Sequence, residues 1–314
     1  MRVLVAGATG VIGNRLVPLL TSVGHDVVAL ARSTGRVADT EKTGARAVVA
    51  DLLDRSAVIR AVGESKPDAI VHMATAIPDE INPKKMARDF AVTNRLRAEG
   101  THNLVEAADR AGVRRVITQG VAFAYDPNGA GAANEDTPFW PNPPRQFVPV
   151  LDAVREMERL TAEANGLVLR FGHLYGPGSI YAADGSFVRQ VRAGKVPIVG
   201  KGTGTFSFTH AHDAASAVVA ALDKDTSGAL NVVDDEPARL GEWLPALARI
   251  LGAREPRHAP TALVRLAVGG WGAAFMGQLR GADNARARLA LDWRPRYPSW
   301  REGFVAELGD GPTS

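Results

Sequence analysis

Short runs rich in aliphatic and β-branched residues alternate along this chain with longer stretches whose apolar positions recur every three or four residues. The runs at 2–6, 26–31, 45–50, 69–73, 114–118, 167–171 and 229–233 are too short for buried helices. They also lack polar alternation, so they predict strands covered on both faces. Helical spacing follows residue 13 through residue 22, with Pro18 expected to bend the axis, and recurs at 89–111, 151–164, 242–251 and 261–274. Strands alternating with helices predict an α/β fold in which one parallel sheet is wound with helices on both faces. Ligands then sit beyond the carboxyl ends of the strands.

The first strand runs directly into Gly7, Gly10 and Gly13. At the start of a helix such glycines supply a tight turn, let bare backbone approach phosphate oxygens, and allow close packing of helix on sheet. The stretch Gly7, Thr9, Gly10, Val11, Ile12 and Gly13 is therefore the expected cradle of a dinucleotide pyrophosphate. That makes the sheet Rossmann-type. Proline-rich residues 126–149 read as a long surface loop beside the site. Beyond Gly172 the pattern loosens into glycine-rich turns and further helices, which predicts a smaller C-terminal substrate lobe. The expected division is a dinucleotide-binding domain at 1–171 with a return segment near 206–233, and a lobe made of 172–205 and 234–314. The end of the chain after Leu308 is expected to fray.

Composition narrows the class. With 46% hydrophobic residues in 314, the chain can bury a large core. It contains no cysteine, which excludes disulfides, thiolate nucleophiles and cysteine-bound metals. The 37 basic and 34 acidic residues are interspersed, so no basic tract suggests nucleic acid. No apolar stretch is long enough to span a bilayer, and the glycine turn stands where a signal peptide would be; the expected location is cytoplasmic, without membrane contact. His210, His212 and Asp213 invite a metal reading, but further ligands at suitable spacing are missing, so no metal is expected.

Several short motifs occur in an order that resembles the extended and atypical short-chain dehydrogenase/reductase superfamily, in particular its nucleoside-diphosphate-sugar epimerase/dehydratase-like branch. They are the glycine turn, Asp51-Leu52, Val71-His72-Met73-Ala74, Asn-x5-Gly-Thr-x-Asn-Leu from Asn94, Leu169 to Gly178, Phe208 to Asp213, and Leu291 to Pro295. The resemblance implies that Asp51 and Leu52 flank the adenine and that Ala74 and Thr75 lie near the nicotinamide ribose. It also implies that Asn94 supports the end of the sheet, as a ligand contact or as a buried linchpin. An NAD site usually closes its second strand with a carboxylate, and here that position is Ala31, followed by Arg32. Arg32, Ser33 and Arg36 suit a 2′-phosphate, so NADP is expected and NAD is the lesser alternative. Solvated loop arginines are the competing reading.

The superfamily's reductive chemistry relies on a strand-end Ser or Thr and a Tyr-x-x-x-Lys pair, which share one helix face. Aligned here, those positions are Gly120, Val150 and Val154. Replacement acid/base groups must come from elsewhere. The candidates are Tyr125, His173, Thr118 and Gln119, with Tyr175 and Tyr181 behind them, and Arg170 and Arg280 are the expected substrate-side cations. The resemblance then implies an NADP(H)-dependent oxidoreductase or epimerase acting on a small hydroxylated or carbonyl metabolite. A non-redox isomerase, cyclase or lyase that retains a dinucleotide, and a catalytically silent NADP(H) sensor, remain open. A homodimer through the helices at 89–111 and 151–164 would match the superfamily's habit.

Overall fold

The computed structural model describes residues 1–309; the tail expected to fray falls, from residue 310, outside them. Along the chain come β1 (Arg2–Ala6), α1 (Gly13–Ser22), β2 (Asp26–Ala31), α2 (Val37–Glu41), β3 (Arg46–Val49), α3 (Arg55–Ser65) and β4 (Ala69–His72). After a loop follow α4 (Met86–Asp89), α5 (Ala91–Arg95), one π-helical turn (Leu96–Gly100), α6 (Thr101–Ala111), β5 (Arg115–Val121), α7 (Val148–Glu163) and β6 (Leu167–Phe171). The remainder holds β7 (His173–Tyr175), α8 (Ser186–Arg192), β8 (Ile198–Val199), β9 (Thr205–Phe206), β10 (Phe208–His210), α9 (Ala211–Leu222) and β11 (Gly228–Val232). The chain continues through β12 (Ala238–Arg239), α10 (Leu240–Ile250), β13 (His258–Ala259), α11 (Thr261–Gly277), α12 (Ala285–Leu291) and α13 (Trp300–Leu308).

Seven strands form one parallel sheet in the order β11-β6-β5-β4-β1-β2-β3. The order reverses between β1 and β4, which opens the ligand crevice of a Rossmann-type fold at their carboxyl ends. Alternating side chains divide the core. Val3, Val5, Val71 and Leu169 pack under α1 and α9, whereas Leu4, Ile70 and Val116 pack under α3 and α6. A third cluster joins Val150 and Val154 of α7 to Trp243, Trp271, Trp300 and the phenyl rings of the C-terminal elements. Among the described residues no helix is long and apolar enough to cross a membrane.

Some expectations are revised. The predicted helix 89–111 is broken, because the buried His72 ring donates from Nε2 to the Leu96 carbonyl at 3.1 Å and draws it out of the helical ladder, where the π turn begins. β5 runs three residues beyond Thr118, pairing Gln119, Gly120 and Val121 with Leu169, Arg170 and Phe171. The last apolar helix reaches Gly277 and kinks at Gly269, whose φ of 83° is not helical. His210 ends β10 and accepts the His212 N–H through Nδ1, while His212 lies in the first turn of α9.

Candidate functional site

The glycine turn is shaped by backbone contact. Gly7 has φ +93°, and a Cβ there would stand 2.6 Å from the Ala74 nitrogen. At Gly13 a Cβ would meet the Gly7 carbonyl oxygen at 2.1 Å, so the helix start is pressed onto the turn it follows. Gly10 donates to the Gly7 carbonyl at 3.1 Å and is otherwise open, leaving its outer face free for a ligand. Thr9 and Gly10 are exposed, Val11 is half-buried beside Gly178, and Ile12 is buried in the core under the sheet. Bare amides at a helix start, with no side chain able to stand between them and an anion, fit a dinucleotide diphosphate.

Ala74 borders that turn, and the other expected cofactor residues follow β2, β3 and β4 or lie in α5. Asp51 is exposed and accepts the Leu53 N–H, while the buried Leu52 is held by the Asn103 amide donating to its carbonyl at 2.7 Å. Ala74 follows β4 with its N–H directed at His72 Nδ1, exposed Thr75 comes next, and the Ala76 N–H is held by Thr93 Oγ1. Asn94 follows with a buried, unpartnered Oδ1. Arg32, Ser33 and Arg36 project into solvent past the end of β2, and Arg36 makes only an exposed contact with Asp39 at 3.5 Å.

The candidate acid/base groups do not assemble. Thr118 is fully buried and shares a hydrogen bond with Thr161 of α7, and Gln119 sits half-buried inside β5. Tyr125 is buried, donates to Asn231 Oδ1 at 2.5 Å and accepts from Arg170. Burial pushes its hydroxyl up to about 12, so it anchors the loop and stays protonated. Arg170 is itself enclosed, in a two-pronged pair with Glu158 at 2.8 and 2.7 Å, and does not reach the cleft as a substrate cation. Arg280 lines a cleft beside α11, and its guanidinium donates to the carbonyls of Asn128, Ala130 and Gly131, closing the proline loop. The buried Tyr175 and Tyr181 rings pack with Phe208 and Phe304. Gly120, where a strand-end hydroxyl was expected, has no space for one: a Cβ would lie 2.7 Å from Val168 Cγ1 and 3.0 Å from Arg170 Cγ.

His173 differs from these. Its Nδ1–H donates to the Ser207 carbonyl at 3.1 Å, leaving Nε2 as a buried lone pair without a partner. Phe206, Phe123, Phe275 and Phe208 surround the ring at 4.6, 5.0, 5.2 and 5.7 Å between centroids. Burial lowers its pKa to about 4, so the ring is neutral. The phenyl cluster was not legible in the sequence, since Phe123, Phe206 and Phe275 come from three distant segments. On the far face of α11 opens a cleft of about 1150 Å³, bordered by Trp140, Lys201, Arg239 and Arg265, with no carboxylate among its described lining residues.

Buried neutral histidines make stability depend on pH. His72 and His173 both fall to about 4, against an unfolded value near 6.5, so their contribution is complete above pH 6.5 and lost as pH falls from 6.5 to 4. Each change is worth roughly 3 kcal/mol. Urea unfolding of the parent and His173→Gln at pH 7 and 4.5 should show a smaller acid loss in the variant. Equal losses would mean that His173 is protonated in the folded protein.

Comparison with known proteins agrees with this geometry. A family profile described as "NAD dependent epimerase/dehydratase family" matches residues 3–233. A Streptomyces protein named 3-diazoavenalumate denitrifying reductase is 47% identical over 98% of this chain and 100% of its own length. The solved structure of MoeE5 in complex with UDP-glucuronic acid and NAD superposes with TM-score 0.72 at 27% identity, covering 98% of each chain. That of human epimerase family protein SDR39U1 with NADPH superposes with TM-score 0.74 at 22% identity, covering 98% of this chain and 99% of that one, a likeness of fold.

Proposed function

The chain belongs to the NAD dependent epimerase/dehydratase family, and on that footing we propose that it is an NADP(H)-dependent reductase that replaces the diazo group of a small aryl carboxylate by hydrogen. The observation that carries this reading is the hydrocarbon at the proton-relay positions: Val150 and Val154 are buried in the core and Gly120 bears no hydroxyl. Carbonyl reduction leaves an alkoxide that needs an acid, and losing general-acid help costs about two to four powers of ten in rate. The reduced nicotinamide supplies one hydride, which takes the place of dinitrogen on a diazonium carbon (R–N₂⁺ + H⁻ → R–H + N₂), a balance that requires no proton. A site without a proton donor therefore suits this electrophile and disfavours a carbonyl.

The chain's own groups match such a substrate. Half-buried Phe123 and Phe275 offer aromatic surface to a planar cation. Neutral His173 adds a lone pair and no competing positive charge. On the other side of α11, Lys201, Arg239 and Arg265 line a cleft with no carboxylate among its described lining residues, a positive surface that suits an anion. The 47% identical relative is named for reduction of a diazo acid, which supports the same class here. Arg32, Ser33 and Arg36 replace a ribose-binding carboxylate at the end of β2 and support NADP(H) over NAD(H).

The test is turnover of 4-carboxybenzenediazonium with NADPH or NADH, following absorbance of the reduced cofactor and release of nitrogen gas. NADPH is expected to exceed NADH at least about tenfold in kcat/KM. Cofactor deuterated at C4 should place deuterium on the arene carbon, and kcat should be level from pH 6 to 9. Turnover with the cofactor's oxidation state unchanged would instead support the non-redox reading, and unlabelled arene would exclude direct transfer.

A further inference from the structure

Arg97 is the one buried guanidinium whose charge nothing nearby answers among the described residues. It is only 4% exposed, its Nη1 has no hydrogen-bond partner, and burial alone acts on its pKa, lowering it to about 10. Buried charges are otherwise paired, and the cost of leaving one alone is several kcal/mol. The other enclosed arginine of this face, Arg170, illustrates the rule with its two bonds to Glu158. Sequence reading passed Arg97 over, although it shares a buried helical face with Thr93, Gly100 and Leu104, where a charge is out of place.

Its position is informative. Arg97 lies in the π turn, an element that packs against α7. Its charge is felt by His72, whose ring holds the Leu96 carbonyl on one side and receives the Ala74 N–H on the other. One turn earlier, Thr93 holds the Ala76 N–H, and Asn94 Oδ1 is also buried without a partner. Ala74 is the residue against which Gly7 is pressed. Two unsatisfied polar groups thus stand on one helix beside the strand exit that forms the wall of the glycine cradle. A π turn at this point departs from regular helix, as such turns often do at functional sites.

We propose that Arg97 is a cofactor-binding residue that donates hydrogen bonds to an oxygen of the bound dinucleotide, supplying from α5–α6 the cation that Val154 lacks on α7. This rests on the dinucleotide reading above. Without ligand the guanidinium is a stored destabilisation, and binding relieves it. The free protein therefore carries a penalty that the complex does not, and Arg97 ties cofactor affinity to stability.

The experiment compares parent, Arg97→Met and Arg97→Lys by thermal unfolding without ligand and by calorimetric titration with NADPH. Methionine removes the unpaired charge and retains the shape, so R97M should melt at or above the parent without ligand while its Kd for NADPH rises about 10- to 100-fold. R97K should recover part of the affinity and none of the stability. An R97M protein that unfolds, or melts below the parent, would overturn the proposal, because a residue with partners in the free protein behaves that way. Unchanged affinity in R97M beside a tightly binding parent would overturn it as well. A parent that binds neither NADPH nor NADH would instead overturn the dinucleotide reading itself.

Discussion

Gly13→Ala should abolish dinucleotide binding. Its new Cβ would lie 2.1 Å from the Gly7 carbonyl oxygen and 2.5 Å from the carbonyl carbon and oxygen of Ala8, which are backbone atoms fixed between β1 and α1. No rotamer relieves such a contact, so α1 must withdraw and the amides at its start lose their convergence. A rise in Kd for NADPH of about 100-fold or more is expected by calorimetry, together with a lower melting temperature. Gly10→Ala separates the two effects. The nearest atom to a Cβ at Gly10 is the Gly7 oxygen at 3.4 Å, so that variant should fold normally and lose affinity by filling the open face of the turn. Parent-like affinity in both variants would mean that the cradle lies elsewhere.

Removing Glu158 should be the most destabilising side-chain change. Arg170 and Glu158 are 9% and 14% exposed and paired through two bonds, and Arg170 also donates to Tyr125 and to the Glu135 carbonyl. Glu158→Leu leaves the guanidinium buried without its carboxylate, at a cost of about 3–5 kcal/mol. The double change Glu158→Leu with Arg170→Met removes both charges and should recover much of that loss. Urea denaturation of the two single variants and the double variant measures the coupling. If E158L unfolds at the parent's midpoint, the pair contributes nothing and Arg170 is available to the cleft.

This pair also bears on the chemistry. The space that a strand-end serine would occupy at Gly120 is taken by Val168, Arg170 and Glu158, whose Oε1 lies 3.3 Å from the position of a Cβ there. The ion pair therefore occupies the space that a side chain at position 120 would need. Tyr125 completes it: its hydroxyl joins Arg170 to Asn231, on the α7 face of the sheet, and is held there as a neutral strut.

Local sequence determined much of this protein. The runs at 26–31 and 167–171 match β2 and β6 residue for residue, because strands buried on both faces are mostly apolar, Asp26 and Arg170 being the exceptions, and a parallel sheet follows from helices alternating with such strands. The glycine turn was equally legible, since only glycine tolerates φ +93° against the Ala74 backbone. The absence of a phenol and an amine at 150 and 154 could be read directly as well. Tertiary structure decided what those positions lacked the information to state. Whether Tyr125, Arg170 and Arg280 face substrate or brace the scaffold depends on partners 12 to 152 residues away in sequence. The phenyl cage of His173 and the solitary charge of Arg97 exist only once β5, β7, β9, α7 and α11 are packed together, because burial and pairing are properties of the assembled layers and not of any segment.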